Sequence, residues 1–313
     1  PVGADPHDFQ ASAQQAAAMR TADVLIVNGG SFEEGLLSVI EGAESDGVNV
    51  YEAMSVVSTI EFGEGGHDHG GHDDHEGHDD HEGHDDHEGH DDHEGHDDHE
   101  GHDDHEGHDH GGHDDHEGHD DHEGHDDHEG HDHSGEDPHF FTDPARMAAA
   151  VDGIAAFLIT NVEGIDADIV TEAAEAYHDE LETLDAEVEA LVAGIPADNR
   201  VLITNHEVFG YFADRYGFEV AGAIIPSGST IDGTSASDLA ELADLIADEN
   251  VPAIFSDVSA SDQLAQTLAD EVGNDVKVVE LFTESLGDND SEGATYIDMV
   301  RTNATRIAEA LAS

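Results

Sequence analysis

Apolar positions along this chain follow two rhythms, short β-rich runs and longer stretches of helical period, and one central stretch follows neither. In the first part, residues 8–22 read as a helix, 24–28 as a strand, 32–41 as a helix and 48–52 as a second strand. Further on, Asp143-Pro144 is a helix start, with Asp at N-cap and Pro in the first turn, and the pattern continues through 148–159. Between 167 and 192, Val170, Ala174, Tyr177, Leu181, Leu184, Val188 and Leu191 recur at threes and fours with no Gly or Pro among them. That pattern predicts one amphipathic helix, roughly 35–40 Å long. The last part alternates strands at 201–204, 219–222, 253–256 and 277–280 with helices near 208–216, 237–248, 261–272 and 294–311. Such alternation is the mark of βα units around parallel sheets. The predicted fold is α/β, two Rossmann-like lobes joined by one long rigid helix. An N-terminal lobe would take residues 1–160, a linker helix 161–195 and a C-terminal lobe 196–313.

The stretch without periodicity is a tract inserted in the first lobe, at 63–136. From His67 to His133 it holds 24 of the 28 histidines and no Lys or Arg, built on nine copies of Gly-His-Asp-Asp-His-Glu. Polar, Gly-punctuated and acidic, it is expected to be disordered without metal. Imidazoles and carboxylates in this density point to transition metals. His72, His75, His78, His81, His84, His87, His90, His93, His96, His99, His102 and His105 recur every third residue. In an extended polyproline II chain they would line one edge roughly 9 Å apart, too far for neighbours to share one ion without bending. Many weak, auxiliary sites follow, suited to collecting metal more than to holding one ion tightly.

Composition narrows the partners. The formal charge is −71, and outside the tract it is still −41, opposed by Lys277 and six arginines. Nucleic acid and anionic membrane surfaces would be repelled. Charge this one-sided destabilises a compact state unless salt screens it, which points to a salt-loaded, halophilic environment. With no cysteine there is no disulfide, thiolate ligand or cysteine nucleophile, and no apolar run reaches transmembrane length.

Four histidines remain outside the tract. His7 stands in Gly3-Ala4-Asp5-Pro6-His7-Asp8-Phe9, before the first helix. His139 stands in Asp137-Pro138-His139-Phe140-Phe141-Thr142-Asp143-Pro144, again before a helix, and His206 follows the strand at 201–204. All three lie where a parallel α/β sheet presents its ligands. His178 lies within the long helix, where an exposed structural role is expected.

These motifs, with His206-Glu207-Val208-Phe209-Gly210-Tyr211-Phe212-Ala213-Asp214-Arg215-Tyr216-Gly217-Phe218 and Thr283-Glu284-Ser285-Leu286-Gly287, resemble the metal-binding solute receptors of ATP-driven importers, the cluster A-I or cluster 9 family. The resemblance covers essentially the whole chain outside the tract, and a His-rich acidic loop between the first two motifs is a habit of zinc-specific members. The acidic body points to a haloarchaeal one. The resemblance implies an extracytoplasmic receptor, not an enzyme, that captures an ion between two lobes and passes it to a membrane permease and its ATPase. His7 and His139 are implied as ligands from one lobe, His206 and Glu284 from the other. Manganese receptors typically have a carboxylate at the position of His206, so Zn2+ is the expected cargo, with Mn2+ second. Glu284 stands where the family usually has Asp, so the fourth place falls to Glu284, to water, or to Asp257 at a strand end. The family also has a strand, a helix and a further strand before the position of Gly3, preceded by a signal or lipid anchor. A truncated first lobe, marginal folding, a monomer and cell-surface anchoring through the preceding segment are the matching expectations. A zinc buffer acting through the tract is the alternative reading. A zinc hydrolase has weaker support, since no HExxH pair is present and Glu207 beside His206 is a poor signal for a base.

Overall fold

The structure, a computed structural model, describes residues 2–62, 135–273 and 276–312. The histidine repeats and the twelve auxiliary histidines lie outside the described residues.

The first lobe carries α1 (Ala13–Met19), β1 (Val24–Val27), α2 (Leu37–Ser45), β2 (Asn49–Glu52) and α3 (Pro144–Asn161). Strands β1 and β2 are parallel, in register from Val24 opposite Asn49 to Val27 opposite Glu52. The second lobe carries β3 (Val201–Thr204), α5 (Gly210–Tyr216), β4 (Glu219–Ala223), α6 (Ala236–Glu249), β5 (Ala253–Asp257), α7 (Gln263–Val272), β6 (Lys277–Leu281) and α8 (Tyr296–Leu311). Its four strands are parallel in the order β4-β3-β5-β6, so the chain reverses direction across the sheet between β3 and β5. A crevice at the carboxyl ends of such strands is where open α/β sheets bind ligands. No helix among the described residues is long and apolar enough to cross a membrane.

The helix predicted at 167–192 is α4 (Ala167–Val192), begun by Asp166, whose side chain accepts from the Asp168 and Ile169 amides. It packs on α3 and on α8, and its Leu181, Leu184, Val188 and Val192 enter the larger core with Leu202, Phe212, Phe255 and Ile307. A second core on the other face of the four-stranded sheet joins Ile203, Ile254, Leu242, Ile246 and Leu268. His178 joins α4 to α3 by a contact of 3.0 Å to Asp152.

Two helix starts differ from the sequence reading. The helix expected at 8–22 begins only at Ala13, because Ser12 and Gln15 form a reciprocal capping box there. The helix expected at 32–41 is displaced to Leu37–Ser45, after a 3-10 turn at Glu34–Leu36, because Phe32 is buried against His7 and His139. At the edge of the tract, Gly135 and Glu136 belong to the folded part, through an antiparallel bridge between Glu61 and Glu136.

All six arginines are engaged. Arg20 pairs with Asp46, Arg146 with Asp143 and Asp214, Arg215 with Asp185, Arg301 with Glu187 and Asp298, and Arg306 with Glu292. Arg200 instead donates to the carbonyls of Val192, Ile195 and Tyr216, tying the end of α4 to the end of α5.

Candidate metal centre

His7 precedes α1 in a loop held by two backbone contacts: its amide donates to Asp5 Oδ1 at 2.9 Å, and its carbonyl accepts from the Gly35 amide at 3.2 Å. After β1 the chain turns through Gly29, Gly30 and Ser31 at positive φ of 92°, 63° and 61°. That left-handed turn, cheap for glycine, sets Phe32 edge-on beneath His7 and His139, with ring centroids 5.1 and 5.6 Å away.

His139 leads into the turn Phe140–Thr142, and Asp137, two residues earlier, holds it twice. Asp137 Oδ1 accepts from the His139 amide at 2.8 Å and from the ring Nδ1 at 2.7 Å. Pro138 lies between them and has no amide of its own, so the carboxylate reaches the next donor along. Asp137 is locked in turn: its amide donates to Ile60 O at 2.9 Å, and its carbonyl accepts from the Tyr211 hydroxyl of α5 at 2.6 Å. A Cβ on Gly210 would stand 2.5 Å from Asp137 Oδ2, so any larger residue there would push on the Asp137 carboxylate.

His206 follows β3. Its carbonyl accepts from Thr204 Oγ1 at 2.7 Å, and the next amide, that of Glu207, donates to Ser227 O at 2.9 Å. Glu284 lies three residues beyond β6.

These loops bring four side chains together. Nε2 of His7, His139 and His206 lie 2.7, 3.1 and 3.1 Å from one oxygen, Glu284 Oε1. One ligand atom from each of the four falls within 4.8 Å of every other. The side chains of His7, His139 and His206 are 2%, 0% and 0% exposed, and that of Glu284 1%. Four-coordinate ions with bonds of ~2.1 Å have ligand–ligand edges of about 3.4 Å, between the 2.7–3.1 Å from nitrogen to Glu284 and the 4.8 Å limit across the cluster. His206 Nδ1 is buried with no partner, while His206 Nε2 and His7 Nδ1 meet only carboxylate oxygens, Glu284 at 3.1 Å and Glu34 at 3.2 Å, without hydrogen-bond geometry. Unsatisfied buried polar atoms are costly, and a cation among them would use their lone pairs. Asp257, the other carboxylate considered from sequence, lies outside this cluster; its Oδ1 accepts from the Ser259 amide at 2.7 Å.

Electrostatics inside the cluster are polarised. Burial alone would lower the His139 pKa, but Asp137 and Glu284 outweigh it and hold the imidazole up at about 9. Burial would likewise raise Glu284, yet the imidazoles of His206, His139 and His7 hold its carboxyl far below the usual range. His139 and Glu284 therefore face each other as cation and anion.

A cleft of about 340 Å³ reaches this cluster, walled by His7, Glu34 and Phe62 on one side and Ser227, Ser229 and Asp232 on the other. Glu34 Oε1 lies 3.2 Å from His7 Nδ1. The sequence reading missed Asp137 as the residue orienting His139, although an Asp two positions before His in both Asp-Pro-His motifs was the available signal.

The family model of the periplasmic zinc-uptake complex component A, ZnuA, matches residues 1–310. The zinc-binding protein TroA of Treponema pallidum (strain Nichols) is 40% identical over 146 residues, 45% of this chain and 47% of that protein. The manganese-binding lipoprotein MntA of Bacillus subtilis (strain 168) is 32% identical over 149 residues, 46% of this chain and 48% of that protein. The chain thus spans about half the length of the curated relatives it matches. Among solved structures, the periplasmic zinc-binding protein TroA from Treponema pallidum superposes with a TM-score of 0.72 at 25% identity, covering 100% of this chain and 89% of that one. A cadmium-bound periplasmic metal-binding protein from Candidatus Liberibacter asiaticus gives 0.68 at 16% identity over 99% and 88% of the two chains, a likeness of fold alone.

Proposed function

This chain belongs to the zinc-uptake complex component A (ZnuA) family, and we propose that it is an extracytoplasmic receptor that binds zinc between its two lobes and delivers it to the permease and ATPase of an importer. The observation that carries this reading is the convergence of three buried imidazole Nε2 atoms on one carboxylate oxygen, 2.7–3.1 Å away. His7 and His139 would serve as ligands from one lobe, His206 and Glu284 from the other. Relatives divide between zinc and manganese by name, so the choice of ion rests on the donor set. Three nitrogens and one carboxylate suit a tetrahedral, borderline-soft ion. Manganese favours a more oxygen-rich, octahedral shell.

Ligation from both lobes explains how occupancy could be signalled, since an ion held by both favours one interlobe arrangement over others. The histidine tract would act as an accessory collector with weak, proton-competed sites.

A competitive titration of protein lacking residues 66–134, with zinc, manganese, cobalt and nickel, tests this reading. One tight zinc per chain, lost in His139→Ala, is the expected result. Preference for manganese would overturn the zinc assignment, and loss of nearly all binding on removing the tract would favour a buffer.

A further inference from the structure

The loop between β4 and α6 touches the backbone beside a candidate ligand in each lobe. On its own side, Ser227 O accepts from the Glu207 amide at 2.9 Å, next to His206. Across the cleft, the Thr230 hydroxyl donates to Asp5 Oδ2. The other oxygen of that same carboxylate, Oδ1, accepts from the His7 amide at 2.9 Å. One short path therefore runs from His206 through residues 227–230 to Asp5 and His7. The loop is braced internally, with Ser227 Oγ donating to Asp232 and accepting from the Ser229 amide at 3.1 Å. Ser227, Ser229 and Asp232 also wall the cleft beside His7.

We propose that Thr230 is a positioning residue for the bound ion, acting through Asp5 to hold His7 in place across the cleft, so that the 227–232 loop sets how slowly metal leaves. The inference rests on the metal-receptor reading above. Thr230 touches no ligand atom. Its hydroxyl bonds a carboxylate, a charge-assisted contact of the stronger kind, and that carboxylate orients the ligand's own backbone. Supporting contacts of this sort keep a ligand within the fraction of an ångström that tight coordination requires. Because the two partners belong to different lobes, opening the cleft must break this bond. Its loss should therefore accelerate release more than it alters the ligand set.

The test uses the full-length chain loaded with zinc and mixed with excess chelator, reading the slowest release phase. Thr230→Val keeps the shape and removes the donor; about tenfold faster release is expected. Thr230→Ala must behave like the valine variant, and Thr230→Ser, which keeps the hydroxyl, must restore slow release. The visible spectrum of the cobalt-loaded protein should be unchanged in all three variants, since the ligand atoms are the same. Release from Thr230→Val at the unaltered rate overturns the proposal. Failure of serine to restore it also does so, by assigning the effect to packing. If the unaltered chain binds no ion tightly, the receptor reading fails and takes this inference with it.

Discussion

Asp137 holds His139 by two bonds from a single oxygen, one to the amide at 2.8 Å and one to the ring Nδ1 at 2.7 Å. The imidazole is thereby fixed in rotation and in tautomer, with Nε2 aimed at Glu284. Asp137→Ala should weaken zinc binding by roughly 10–100-fold while leaving one site per chain, as competition against a chelator of known affinity would report. Unchanged affinity would mean that packing by Phe32 and Phe141 suffices to aim the ring.

With His139 as a ligand, as proposed, proton and metal would compete for its imidazole. Its imidazole stands at about 9 in the metal-free protein, so metal binding near neutral pH must expel a proton. Affinity should rise with pH until about 9, and the calorimetric heat of binding should vary with the ionisation heat of the buffer. A buffer-independent heat would contradict the assignment of His139 as a ligand.

The same shifts set the stability of the metal-free protein. His139 is raised, so its contribution is full below its ordinary value of 6.5 and is lost as pH climbs through about 9. Glu284 is depressed, so its contribution is present above its ordinary value of 4.5 and disappears on acidification. As far as this site governs, melting temperatures with chelator present should be highest between these two values and fall on either side. Zinc-saturated protein should not share the alkaline fall, because the ion replaces the proton.

Gly210 marks where α5 presses against the Asp137 carboxylate. In Gly210→Ala the new methyl would sit 2.5 Å from Oδ2, and either Asp137 or the helix must retreat. Overpacking of this kind costs about 1–3 kcal/mol, and here it should weaken metal binding as well as stability. A stability loss with unchanged affinity would show that the strain relaxes away from Asp137.

Leu184 lies on the buried face of α4, 1% exposed, in the core shared with α8. Leu184→Ala should cost about 2–5 kcal/mol in denaturant unfolding.

Much of this was legible in the chain itself. The long helix was readable from seven apolar positions at threes and fours, and the C-terminal strands from β-rich runs between turn residues. His7, His139 and His206 were readable as candidates because all three sit in equivalent loop positions, at a helix start or strand end, two of them after Asp-Pro, which outweighs the structural role a lone histidine more often has. Glu284 was different: nothing about Thr283-Glu284-Ser285 signals chemistry, and only resemblance to a family singled it out. The misplaced helix starts have different causes. At 8–12 a local signal wins, the Ser12–Gln15 capping box, whereas at 32–36 Phe32 is committed to packing on His7 and His139, and that tertiary demand outweighs a weak local preference. Thr230 was invisible for a related reason, since its partner Asp5 is 225 positions away in sequence.

The arginines bear on how ions see this protein. Each is answered at close range by an acid or by a carbonyl, so the charge left facing outward is overwhelmingly carboxylate. Such a surface gathers a counterion cloud whose depth is set by the screening length. Boltzmann weighting doubles the exponent for a doubly charged ion, so the cloud enriches divalent over monovalent cations before any imidazole is met. In dilute salt the protein would be bathed in a layer already sorted by valence; in concentrated salt that layer would thin, and selection would fall to the four candidate ligands in the cleft.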